Sequence, residues 1–118
     1  MFTELYTYLK GRGFDVYSIG QHQGICTNPY IVIKENGESY IAGTSLTNDV
    51  IELLIYYPIG KYSSLECYKK DILNSMRNIK GVRRIFEGMP TIIDNDKKAY
   101  MTSFSYRKIR MKEGKLNG

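Results

Sequence analysis

Apolar residues at Phe2, Leu5, Tyr6 and Leu9 recur with the spacing of one helix face, and Gly11 and Gly13 follow as a stop. The spacing predicts a short amphipathic helix from Phe2 to Leu9. Asp15 to Ile19 has the content of a brief strand, and the stretch GQHQGICTNP reads as a loop, because glycine and Asn-Pro favour turns. Tyr30 to Lys34 is then a β-rich run. Within Glu35-Asn36-Gly37-Glu38, the Asn-Gly pair predicts a tight hairpin whose returning strand is Ser39 to Ala42.

Asp49 to Tyr57 is apolar apart from Glu52 and is closed by Pro58 and Gly60. A helical period is possible there, but β-branched and aromatic residues between breakers favour a strand, expected to be the central one. Ser63-Ser64-Leu65-Glu66 fits a capping box, in which hydroxyl and carboxylate satisfy free backbone amides at a helix start. The helix it opens carries the stripe Leu65, Tyr68, Ile72, Met76 and Ile79, with Arg77 and Lys80 near its negative end and Gly81 as a left-handed cap. Glu66 lies four residues before Lys70, an expected support pair on that helix.

Val82 to Glu87 and Thr91 to Ile93 have strand character and are separated by Gly88 and Pro90. Asp94 to Lys98 is a turn. Ala99 to Arg110 alternates, with Tyr100, Thr102, Phe104 and Tyr106 on one side and Met101, Ser103 and Ser105 on the other. The order α-β-β-β-α-β-β predicts an α+β fold, an antiparallel-rich sheet flanked by two helices that cover one face. One domain is expected over residues 1–111, with 112–118 a C-terminal tail, flexible or held at an interface.

Composition narrows the picture. A chain of 118 residues holds one core, and 11 Tyr against 4 Phe and no Trp suit strands and interfaces, where a ring with a polar tip tolerates partial exposure. A net charge of +5 and a pI near 9.2 allow attraction to nucleic acid or to an acidic protein surface without choosing between them. No stretch approaches the ~20 apolar residues of a membrane span, and the N-terminus is not signal-like, so a soluble intracellular protein is expected. Cys26 and Cys67 lack metal-like or redox-like spacing and are expected to be reduced.

The candidate chemistry is thin. His22 and Cys26 stand four apart in the glycine-bearing loop, but a catalytic thiol also needs an orienting group and an oxyanion site, and no residue pattern marks either. No catalytic, cofactor-binding or metal-binding residue is expected: three His and Cys residues in all fall short of a zinc site. Asp94-Asn95-Asp96 lacks the later ligands of a calcium loop and is followed by Lys97 and Lys98. Gly11-Arg12-Gly13 follows a helix instead of preceding one, so it lacks the helix start a phosphate loop needs.

The basic residues form two groups. Lys61, Lys69, Lys70, Arg77, Lys80, Arg83 and Arg84 surround the second helix, and Arg107, Lys108, Arg110, Lys112 and Lys115 crowd the C-terminus. A protein contact, a solvated tail and a nucleic-acid stripe are all compatible with the second group. Exposed aromatic and basic positions make Lys61, Tyr62, Arg107, Lys108, Arg110 and Lys112 the candidate interface residues.

The opening helix FTELYTYLK, the strand NPYIVIKENG, the strand VIELLIYYP, the helix SSLECYKKDILNSMRNIKG and the closing DNDKKAYMTSFSYR occur in an order that covers nearly the whole chain. In size, order and pattern the chain resembles the tail-terminator and tail-to-head joining proteins of tailed bacteriophages and prophages. The resemblance implies a non-enzymatic virion subunit in a ring, expected to be a hexamer, that caps the tail tube and meets the neck or connector. It also implies tail tube protein, connector and in some tails sheath as partners, with DNA passing through the lumen without sequence-specific binding, and assembly in the host bacterial cytoplasm. A small basic nucleic-acid-binding accessory protein is the alternative, and a minor enzyme using His22 and Cys26 is a third reading.

Overall fold

The computed structural model describes residues 2–22, 24–40 and 46–111. Seven elements follow in the order expected: α1 (Phe2–Gly11), β1 (Val16–Ser18), β2 (Tyr30–Tyr40), β3 (Leu46–Pro58), α2 (Tyr62–Arg77), β4 (Val82–Asp94) and β5 (Ala99–Met111). The fold is α+β. The five strands form one sheet in the order β1-β2-β3-β5-β4, so β3 is central, as its apolar run predicts. Only the β1–β2 pairing is parallel, and the other three are antiparallel.

Alternation along the strands sorts the side chains into two layers. Ile31 and Ile33 of β2, Ile51, Leu53 and Ile55 of β3, and Phe104 and Tyr106 of β5 face the helices, where they bury against Leu5 and Leu9 of α1 and Leu65, Ile72 and Met76 of α2. Both helices therefore cover the same face. On the other face a smaller cluster gathers Cys26, Tyr30, Val32, Tyr56 and Ala99, roofed by the loop between β1 and β2. That loop is tied down where the Cys26 amide donates to the Lys97 carbonyl at 2.7 Å.

Local signals and long-range pairing part company at three places. The Asn36-Gly37 pair does not turn the chain, and no hairpin forms there. β2 runs straight on to Tyr40, and between Glu35↔Ile51 and Glu38↔Asp49 two β2 residues face the single residue Val50. Gly37, at φ +91°, supplies the left-handed conformation of a β-bulge instead of a turn. The returning strand predicted at Ser39 to Ala42 is thus partly the end of β2, and Ile41 and Ala42 lie outside the described residues.

The second correction concerns α2, which starts at Tyr62 with Lys61 at its N-cap and no side-chain cap, so Ser63 to Glu66 form no capping box. Tyr62 packs edge-on against Tyr100 with ring centres 5.2 Å apart, and this tertiary contact sets where the helix enters. α2 also ends at Arg77 with Asn78 as its right-handed cap, leaving Gly81 (φ +83°) to turn the chain into β4. Glu66 pairs with Lys69 at 3.5 Å and not with Lys70.

The last correction joins the two strands predicted around Gly88 and Pro90 into one, β4. Register slips between Ile85↔Ser105, Met89↔Ser103 and Ile92↔Met101 absorb the extra residues, and Thr102 Oγ1 donates to the Met89 carbonyl at 2.9 Å within this stretch. An edge strand tolerates Pro90 and such irregularity because only one of its sides is paired. The expected turn at Asp94 forms through its own carboxylate, which accepts from the Asp96 and Lys97 amides at 3.1 Å each.

Candidate interaction surface

His22 and Cys26 come to the same side of the sheet, but each is engaged in packing. The His22 ring stacks on Tyr30 (3.9 Å, 17°), Tyr30 stacks on Tyr56 (4.8 Å, 16°), and Tyr17 sits edge-on to both His22 and Tyr30. The Cys26 thiol donates to the Asn28 carbonyl at 3.2 Å, and burial pushes it up to about 11. It stays protonated near neutrality, whereas nucleophilic attack needs the thiolate. Among the described residues, no group of three or more His, Cys, Asp or Glu side chains is placed to hold a metal ion. No helix there is long and apolar enough to cross a membrane.

The stack also bears on nucleic-acid binding. Bases stack on exposed aromatic faces, yet Tyr30 is 1% exposed and Tyr56 8%. Their faces are already occupied by each other and by His22, and Lys97 Nζ lies 5.6 Å from the Tyr56 ring centre. This part of the tyrosine content is consumed by the fold.

The residues expected at an interface divide between the two ends of β5. Lys61 and Tyr62 adjoin its beginning, next to Tyr100, where Ile59 and Tyr62 are 44% and 50% exposed. Arg107 and Lys108 lie seven and eight residues further along, roughly 25 Å away at about 3.3 Å per residue. Lys108 Nζ reaches Glu4 of α1 at 3.5 Å, an exposed pair worth only about 0–1 kcal/mol. Arg107 is exposed and stands directly across from Arg83 of β4. Arg110 falls in β5, and Lys112, Lys115 and the rest of the expected tail lie outside the described residues.

A more organised feature lies between the end of α2 and the β4–β5 pair. Leu73, Met76, Arg77, Val82, Arg84 and Tyr106 line a concavity of about 110 Å³, and none of these residues is acidic. Tyr106 is 3% exposed and its hydroxyl has no hydrogen-bond partner among the described residues. Burial raises its pKa to about 12 against the opposing pull of Arg84 and Arg77, both of which are close enough to act on it. Arg84 lies over the Phe104 ring at 4.7 Å, which holds its guanidinium at the rim.

Two guanidinium forks around a buried phenol suit an oxyanion such as a carboxylate. The sequence shows Arg77, Arg83 and Arg84 only as members of a basic group around a helix. Tyr106 reads there as one more core position, and nothing local ties it to the arginines. No family model matches the chain, and no curated protein matches it.

Proposed function

We propose that the protein is a structural subunit of a phage or prophage tail, forming a ring that ends the tail tube and joins it to the neck or connector. The observation that carries this reading is the sheet with its helices on one face and long edges left unpaired. Among the described residues, β1 pairs only with Ile31 to Ile33, so β2 has no outer neighbour from Lys34 onward, while β4 forms the other edge. Such edges invite further contacts, and copies joined head to tail through unlike edges close into a ring when the rotation between neighbours divides a full turn. The strands are long, 13 residues each in β3, β4 and β5, and the molecule measures 55 × 25 × 25 Å, a shape suited to a segment of a ring wall.

On this reading the ring is a hexamer of identical chains in the virion tail, assembled in the host cytoplasm and contacting tail tube protein, connector and, in contractile tails, sheath. DNA passes through the lumen without sequence-specific contacts. Lys61 with Tyr62 and Arg107 with Lys108, at opposite ends of β5, supply separate contacts along the tube axis. Native mass spectrometry and negative-stain microscopy of the protein, alone and with tail tubes of the same phage or prophage, test the reading. Closed rings, free or at tube ends, are expected. A monomer that leaves tube ends bare would sink it, and strongly salt-dependent DNA binding by that monomer would favour a nucleic-acid accessory protein instead.

A further inference from the structure

Following the strand pairings across the sheet gives one continuous row. Glu35 of β2 is opposite Ile51 of β3, Ile51 is opposite Tyr106 of β5, and Tyr106 is opposite Arg84 of β4. The row starts at the free edge of β2 with a carboxylate and ends at the β4 edge with a guanidinium, about 14 Å away across three strand spacings. Paired residues share a face, so both ends of the row lie on the helix-bearing side, the side of Ile33 and Phe104. Glu35 is exposed and makes no ion pair among the described residues, and the same holds for Arg77 and Arg84.

We infer that the concavity formed by Arg77, Arg84 and Tyr106 is a carboxylate-binding site whose occupant is Glu35 of an adjacent copy of this chain. This rests on the ring reading above and names the contact that closes the ring. Charge complementarity selects the occupant: the pocket carries two cations and a phenol donor with no acid in its lining, and Glu35 is an exposed acid on the opposite edge. Height selects it too. A ring requires neighbours related by rotation without translation along the axis, so groups that meet between copies must sit at the same level. Two ends of one cross-strand row meet that condition when the strands run along the axis. A planar carboxylate accepts from both guanidinium forks and from the Tyr106 hydroxyl, which gives that buried hydroxyl an acceptor.

Charge reversal tests the pairing. Glu35→Arg and Arg84→Glu are made separately and together, with the oligomer read by native mass spectrometry and the monomer fold by circular dichroism. Each single variant should lose most of the ring population, because like charges then face each other. The combined variant should recover it, and so should an equal mixture of the two single variants, since alternating copies restore opposite charges at every contact of an even-numbered ring. As a second measurement independent of charge, Glu35→Cys with Arg84→Cys in a Cys67→Ser background should give a ladder of covalent oligomers with a short bis-maleimide. Rings that persist in both single variants overturn this contact while leaving the ring reading standing. Loss in Arg84→Glu without recovery by Glu35→Arg also overturns it, assigning the arginines to another anion such as a nucleic-acid phosphate. A wild-type chain that neither forms rings nor caps tubes overturns the ring reading itself.

Discussion

Replacing Tyr30 with Phe should stabilise the protein. Tyr30 is 1% exposed, its ring lies between His22 at 3.9 Å and Tyr56 at 4.8 Å, and its hydroxyl has no hydrogen-bond partner among the described residues. Burial, with the neighbouring Cys26, Tyr56 and Asp94 adding to it, pushes this phenol well above its ordinary range. Tyr30→Phe keeps the ring contacts and removes only the desolvated oxygen. A buried polar group without a partner costs about 1–3 kcal/mol, so a gain of about 1 kcal/mol is expected, or about 3–5 °C in Tm for a domain of this size.

Tyr8 supplies the opposite sign within the same molecule. Its hydroxyl donates to the Ser75 carbonyl at 2.7 Å, locking α1 to α2, so Tyr8→Phe should cost about 1 kcal/mol. Urea unfolding followed by far-ultraviolet circular dichroism, with the slope m checked for constancy, measures both. A loss of about 1 kcal/mol or more in Tyr30→Phe would refute the reasoning, because the hydroxyl must then have had a partner.

The Cys26 thiol, ordinarily near 9.0, is held up to about 11 by burial; the unfolded chain releases its proton first, so stability present below pH 9.0 should decline as pH rises toward 11. Tyr106, moved from 10.0 to about 12, extends the same trend upward, and Cys26→Ala should flatten its lower part in urea midpoints taken across that interval. Gly37→Ala should cost about 1–2 kcal/mol: a Cβ there meets nothing within 4 Å, so the penalty is the φ of +91° alone, and an unchanged urea midpoint would argue against the bulge.

Element type and order were legible in the amino-acid sequence because they rest on short-range periodicity. Phe2, Leu5, Tyr6 and Leu9 repeat within one helix, the alternation from Ala99 to Tyr106 shows within one strand, and the run at Val50 to Tyr57, apolar except for Glu52, marks a central strand. The α+β class and the helices on one face follow from those patterns. The same local reasoning misread Asn36-Gly37 and Gly88 to Pro90 as interruptions. A glycine at positive φ suits a bulge as well as a turn, and the choice depends on whether the partner strand continues, which residues far away in sequence decide.

Tertiary structure alone decided which groups stand together. Glu35 and Arg84 are 49 positions apart in the numbering, and only the pairing of four strands puts them on one row with Tyr106 between. Arg77 joins Arg84 and Tyr106 because α2 ends over that part of the sheet, and Tyr30 is buried because a loop carrying His22 folds back over it. Periodicity records which side of its own element a residue occupies, but register between elements is set by the summed packing of whole strands. Charge clusters read along the chain therefore separated, with Lys61 and Tyr62 at one end of β5 and Arg107 and Lys108 at the other, while an acid and an arginine that no local pattern connects came to mark opposite edges of the sheet at one height.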